Sequence, residues 1–201
     1  SKNNKNRTRT TQFEDKNGVS GDETLTKTRQ FWLTNETGRR KAREVLSSQL
    51  ISMIFSPGDL WLASPWATDF DLLDNRAGNW NSLDIGWSFR FIKFSEVLIK
   101  LLESGCRLRM ITLDKNMDQY TKFLVNHLHD TIQNPEIFQH ILTDKIHLKG
   151  IIGPNFYLAG SMNSTYSGAY VKEEQLELKP LQGEIIEARL NYEQTYGDFS
   201  E

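Results

Sequence analysis

Apolar residues in the middle of the chain recur at helical spacing. From residue 37, Ala42, Val45, Leu46, Leu50, Met53 and Ile54 fall three and four apart, with Arg39, Arg40, Lys41 and Arg43 mostly off that stripe, as an amphipathic helix requires. Pro57, Gly58 and Asp59 stop it, and residues 60–66 then read as a short buried strand ending at Pro65. A second amphipathic helix is predicted over 91–103, with Phe94, Val97, Leu98, Leu101 and Leu102 on one side and Gly105 as its C-terminal stop. Residues 107–113 alternate and predict a strand. The spacing of Tyr120, Phe123, Leu124 and Leu128 predicts a helix over 118–129. Two strands, 145–152 and 156–159, are joined by the turn residues Gly153, Pro154 and Asn155, and a helix over 184–196 closes the pattern. Strands interleaved with helices favour a layered α/β domain, a central mixed β-sheet flanked by helices.

Two stretches break the pattern. Residues 1–29 carry seven Lys and Arg against four Asp and Glu, with Val19 and Leu25 their only aliphatics, too little apolar surface to offset the entropy of ordering. They are expected to form a flexible basic arm ahead of a single domain over 30–201. Residues 69–87 read as a long polar loop, an unusual feature in a compact domain without a role for it. Asp74, Asn75, Arg76 and Gly78 form either a rim that meets substrate or a partner, or a self-hydrogen-bonded surface loop.

Composition narrows the class. The 201 residues carry a net charge of −2, which argues against an overall basic nucleic-acid coat while leaving room for a local basic groove. The lone cysteine, Cys106, excludes an intramolecular disulfide and a multi-cysteine zinc site, and is expected to be a small buried hydrophobe. His127 and His129 project to different helix faces and make no metal pair, and His140 has no evident partner. No apolar run approaches the 18–20 residues that span a bilayer, and no signal-like stretch opens the chain, so a cytoplasmic protein without membrane, metal or cofactor is the expectation.

The chemistry concentrates between residues 146 and 178. On a strand, His147 and Lys149 share a face, an imidazole and an ammonium side by side that suit a phosphate better than a core. The following strand delivers Gly160, Ser161 and Asn163 to the same region, adding a hydroxyl and an amide. Glu174 lies where it could accept the other ring N–H of the histidine. Glu173 is its neighbour on the chain and could be solvated surface, as could Glu174, with Glu174 the preferred candidate.

His147-x-Lys149, then Gly160-Ser161-x-Asn163, then Glu174 resembles the signature of phospholipase D-like phosphodiesterases. Ser64-Pro65-Trp66 is similar to the end of the first strand of those domains, so the resemblance spans roughly residues 60–196. Segments 64–80 and 147–168 further resemble the small phospholipase D-like proteins of bacterial anti-phage clusters that handle DNA carrying 7-deazaguanine bases. The resemblance implies a phospholipase D-like fold and a metal-independent phosphodiesterase, a nuclease in DNA defence. His147 would be nucleophile and, from a second copy, acid; Lys149 and Asn163 would bind phosphate oxygens; Ser161 and Glu174 would position the histidines. With only one such motif in the chain, it also implies a homodimer with a shared site, burying an aromatic such as Trp80 or Tyr166 between copies. Other proteins of the defence cluster are possible partners. The family's usual Asp falls on Pro154, a departure that leaves a second reading open: a catalytically silent phosphate- or DNA-binding subunit of a defence assembly.

Overall fold

The computed structural model describes residues 27–115, 117–146, 149–197 and 199. Their core is a seven-stranded mixed sheet. At its centre lies β2 (Asp59–Ala63), with β5 (Arg107–Leu113) and β6 (Phe138–Thr143) following parallel on one side. On the other side β7 (Gly150–Ile152), β8 (Tyr157–Gly160), β9 (Gln175–Lys179) and β1 (Arg29–Trp32) succeed one another antiparallel. Parallel neighbours need crossover helices, and the chain supplies them as α2 (Phe94–Glu103) between β2 and β5 and α3 (Gln119–Thr131) between β5 and β6.

Alternation along β2 divides the core. Leu60 and Leu62 join Leu108, Met110, Ile151 and Leu158 against α1 (Glu36–Phe55), α2 and α3. Trp61 and Ala63 face the opposite side, where Ile111, Ile152 and the Ile185 and Tyr192 side chains of α5 (Gln182–Tyr196) cover them. Helices therefore flank both faces of the sheet, as the sequence predicts. All five apolar residues assigned to the α2 stripe are buried, and Cys106 is buried, its thiol pushed up in pKa by that burial. Asp118 caps α3 by accepting from the backbone N–H of Tyr120 and Thr121.

Several expectations are corrected. Arg29, given to the arm, is the first residue of β1 and pairs with Leu178; residues 1–26 lie outside the described residues. The long loop holds β3 (Asp71–Asp74), which pairs with β4 (Phe91–Lys93) in a separate two-stranded sheet. The predicted helix over 91–103 consequently starts three residues late, at Phe94, because Phe91–Lys93 is already committed to that pairing. Tyr120 and Phe123 are exposed at 62 % and 66 %, and Thr121, Leu124, Val125 and Leu128 form the buried side of α3. Of the basic residues off the α1 stripe, Arg40 and Lys41 are exposed, whereas Arg39 and Arg43 are mostly buried. Arg39 donates to the Leu33 and Val171 carbonyls at 3.3 and 3.5 Å and Arg43 to Ala169 O at 3.0 Å, both with side chains less than a fifth exposed. Five strands, β1, β3, β4, β6 and β9, and α4 (Tyr166–Tyr170) have no counterpart in the hydrophobic pattern.

Candidate active site

Parallel β-strands place functional groups beyond their carboxyl ends, and the end of β2 is where the phosphate-type residues converge. Ala63 pairs with Gly150, and Gly150 with Ala159, so the start of β7 and the end of β8 both arrive beside the last residue of β2. Lys149 immediately precedes β7 and Ser161 immediately follows β8. The Lys149 ammonium donates to the Ser161 carbonyl at 3.0 Å, its one hydrogen bond among the described residues, and an ammonium carries three donor protons.

Ser161 is fixed from a second direction. Its N–H donates to Gln175 O at 3.1 Å while its hydroxyl accepts from the Gln175 N–H at 3.0 Å. That clasp brings in Glu174, half-buried and one residue before β9, whose carbonyl accepts from Leu33 N–H at 2.8 Å; Glu173 is exposed. Gly160 has no alternative residue here. Its φ is 151°, and a Cβ would lie 2.1 Å from the Gln175 carbonyl oxygen, so only glycine lets the clasp close.

Asn163 is 6 % exposed, and its Oδ1 is buried without a hydrogen-bond partner among the described residues. A buried amide oxygen left unpaired costs about 1–3 kcal/mol. The segment around it is tied back to β2. Ser64, 1 % exposed, accepts from Ser164 N–H at 3.0 Å and donates to Trp66 O at 2.6 Å, and Thr68 N–H donates to Ser164 O at 2.8 Å. Ala67 N–H in turn reaches the Thr121 hydroxyl at the start of α3, at 3.1 Å. Ser64 and Ser164 are positioning residues that sequence reasoning missed. Ser64 falls within the Ser-Pro-Trp segment, yet its contact is a hundred residues away, and no local pattern reports it.

The structure thus brings Lys149, Ser161, Asn163 and the Glu174 segment to one end of the sheet. His147, with Leu148, lies outside the described residues. The strand expected over 145–152 is only Gly150–Ile152, so the shared-face relation between His147 and Lys149 is an expectation from the sequence alone. Pro154, standing where the family has an Asp, sits in the turn closed by Gly153 N–H to Phe156 O at 2.9 Å. Its ring packs on Gly58 just ahead of β2, at the opposite end of the sheet from Lys149.

Other candidate residues take structural places. His127 stacks on Phe123 and His129 packs against Phe138. His140 on β6 shares a 2.9 Å hydrogen bond with the Thr112 hydroxyl, and its pKa is lowered to about 4 by burial and by the nearby His129. Arg76 forms a two-point pair with Asp74 at 2.8 and 3.0 Å, and Asn75, fully buried, donates to Trp87 O and Asn81 Oδ1 while accepting from Trp80 N–H. The loop is thus self-hydrogen-bonded, which fixes its shape without deciding whether it also forms a rim. Trp80 is half-buried against the main core, and the Tyr166 side chain lies outside the described ones. Among the described residues, no group of three or more His, Cys, Asp and Glu side chains could hold a metal ion, and no helix is long and apolar enough to cross a membrane.

This sheet order, with flanking helices and a polar cluster beyond the end of β2, is the phospholipase D-like fold. NucT from Helicobacter pylori superposes with a TM-score of 0.55 over 84 % of this chain and 94 % of its own, at 13 % identity. Nuc from Salmonella typhimurium, a phospholipase D family member, gives 0.52 over 85 % and 93 %, at 12 % identity. Polyphosphate kinase from Porphyromonas gingivalis gives 0.55 over 83 % of this chain but 25 % of its own, at 10 % identity. At these identities the likeness is one of fold. No family model and no curated protein matches the sequence.

Proposed function

We propose that the chain is a metal-independent phosphodiesterase of phospholipase D type, acting on nucleic acid as a homodimer. The observation that carries this reading is the Lys149 ammonium, held at the Ser161 carbonyl beside the end of β2, with the buried Asn163 side chain on the segment that follows Ser161. A fixed cation and an amide N–H donor suit the charge that spreads over the non-bridging oxygens as a phosphodiester is cleaved.

In the proposed reaction a ring nitrogen of one His147 attacks phosphorus. An N–P bond forms, the P–O bond to the leaving group breaks, and that oxygen takes a proton from His147 of a second copy. Water then attacks the phosphohistidine, giving its proton to the second His147, and the N–P bond breaks to release the phosphate product. Lys149 and Asn163 hold the non-bridging oxygens throughout. Ser161, clasped to Gln175, keeps Lys149 and Glu174 in register, and Glu174 orients the imidazole. Since one chain carries one His-x-Lys motif, a two-fold axis supplies the second histidine.

The resemblance of segments 64–80 and 147–168 to the small phospholipase D-like proteins of anti-phage clusters supports DNA as the polymer and defence, alongside other cluster proteins, as the setting. Pro154 lies in the turn between β7 and β8, at the opposite end of the sheet from Lys149, which supports the catalytic reading over a silent binding subunit. The test is cleavage of labelled single- and double-stranded oligonucleotides in excess EDTA. Wild type is expected to cleave at least one of them, and His147→Ala and Lys149→Ala to lose that activity. Activity abolished by EDTA and restored by magnesium would reject the reading.

A further inference from the structure

A cavity of about 640 Å³ opens between α1 and the small β3–β4 sheet, a volume suited to a nucleotide-sized ligand. Its walls hold two guanidinium groups over aromatic rings. Arg76, locked by its two-point pair with Asp74, lies 4.4 Å from the centre of the Phe91 ring. Arg43, fixed by its bond to the Ala169 carbonyl, lies 3.9 Å from the centre of the Tyr170 ring. Trp80 adds a third aromatic surface.

Charge on the lining balances. Arg40 faces Glu44 at 3.6 Å, Arg76 faces Asp74, and Asp71 is paired with Lys93 at 3.1 Å. A bare anion gains little where each cation already has a carboxylate. An alkyl chain gains little against a wall of charged side chains. A flat heterocycle with ring N–H donors and ring N or O acceptors is matched on both counts: it stacks on Trp80 and on the guanidinium planes, and its edge meets carboxylate acceptors and guanidinium donors.

The cavity also adjoins the candidate site along the chain. β3 begins four residues after Ala67, α4 begins three residues after Asn163, and the Tyr170 hydroxyl of α4 donates to the Asp71 carbonyl of β3. Ala67 and Ser164 themselves form a bridge beside the end of β2. The two segments that leave the phosphate-type site therefore meet again as walls of the cavity.

We infer that this cavity is a nucleobase pocket, which seats a base of a nucleic-acid strand held at the Lys149–Asn163 site. The assignment of that base to a strand rests on the function proposed above; the chemistry of the pocket does not. The test is a titration of the full chain, as wild type and as His147→Ala, with purine and pyrimidine nucleoside 5′-monophosphates and with ribose 5-phosphate, read by isothermal titration calorimetry. At least one nucleotide is expected to bind both proteins while ribose 5-phosphate does not. Trp80→Ala is expected to weaken binding about tenfold and Trp80→Phe to retain it. Arg76→Lys, which keeps the charge but loses the plane, is expected to bind like Arg76→Ala. Melting temperatures of all variants show whether they fold. Ribose 5-phosphate binding as tightly as the nucleotides would overturn the inference, and so would folded Trp80→Ala and Arg76→Lys variants that bind like wild type, or no nucleotide binding at millimolar concentration. Nucleotide binding by a protein that cleaves no oligonucleotide would leave the pocket standing and remove only the proposed activity.

Discussion

Ser161 and Gln175 exchange two hydrogen bonds, one from the Ser161 N–H to the Gln175 carbonyl and one from the Gln175 N–H to the Ser161 hydroxyl. The first continues the β8–β9 ladder by one step, and the second replaces a backbone acceptor with a side chain. The serine of a motif that reads as catalytic thus acts here as a splice between two strands. Ser161→Ala removes the second bond and is expected to cost about 0.5–1.5 kcal/mol in urea unfolding, with Ser161→Thr closer to wild type because it keeps the oxygen. Equal losses in both variants would show that the hydroxyl bond is not what holds the splice.

His140 ties stability to pH. Burial, with His129 second, lowers its pKa from 6.5 to about 4, so between those values the unfolded chain binds a proton that the folded chain refuses. Its contribution is fully present above about pH 6.5 and is lost as pH falls toward about 4, on the order of 2–3 kcal/mol. Urea unfolding of wild type and His140→Gln across that range is expected to show a steeper decline in wild type. Parallel curves would contradict it.

Much of the fold was legible because long amphipathic elements announce themselves. The stripes of α1 and α2 stand in the sequence and lie on the buried sides of those helices. β5 is legible as a strand, although Arg109 and Thr112 are buried with Leu108, Met110 and Ile111, so its burial does not alternate. What stayed hidden was short or context-dependent. β1 has four residues at a sheet edge inside a polar stretch, and β3 and β4 have four and three, too few for a period to show. On α3, Tyr120 and Phe123 look like core by spacing, yet that side of the helix faces solvent. At the candidate site the motif spacing picked out Lys149, Ser161 and Asn163, which the fold gathers. It gave no hint of Ser64 or Ser164, whose bond joins positions a hundred residues apart.

Asn75 is the hub of the loop that reads as a polar insertion. It is fully buried and its amide makes three bonds, to Trp87 O at 2.7 Å, Asn81 Oδ1 at 2.9 Å and from Trp80 N–H at 2.8 Å. Asn75→Ala strands all three partners and is expected to cost about 2–4 kcal/mol, with loss of the near-ultraviolet circular dichroism of Trp80 and Trp87. Asn75→Asp keeps only the acceptor and is expected to fall between. A change below about 0.5 kcal/mol in Asn75→Ala would mean that the loop does not depend on its hub.

The proposed chemistry passes through a covalent bond between His147 and phosphorus, and that bond can be trapped. An active, chelator-treated protein mixed with an oligonucleotide and quenched within the first turnovers is then digested and read by mass spectrometry. The account predicts a peptide carrying a nucleotidyl or phosphoryl group on His147, stable to base and labile to acid, and no such adduct in His147→Ala. Cleavage that proceeds at full rate with no adduct at His147 at any quench time, or an adduct that persists elsewhere in the chain when His147 is replaced, would contradict it.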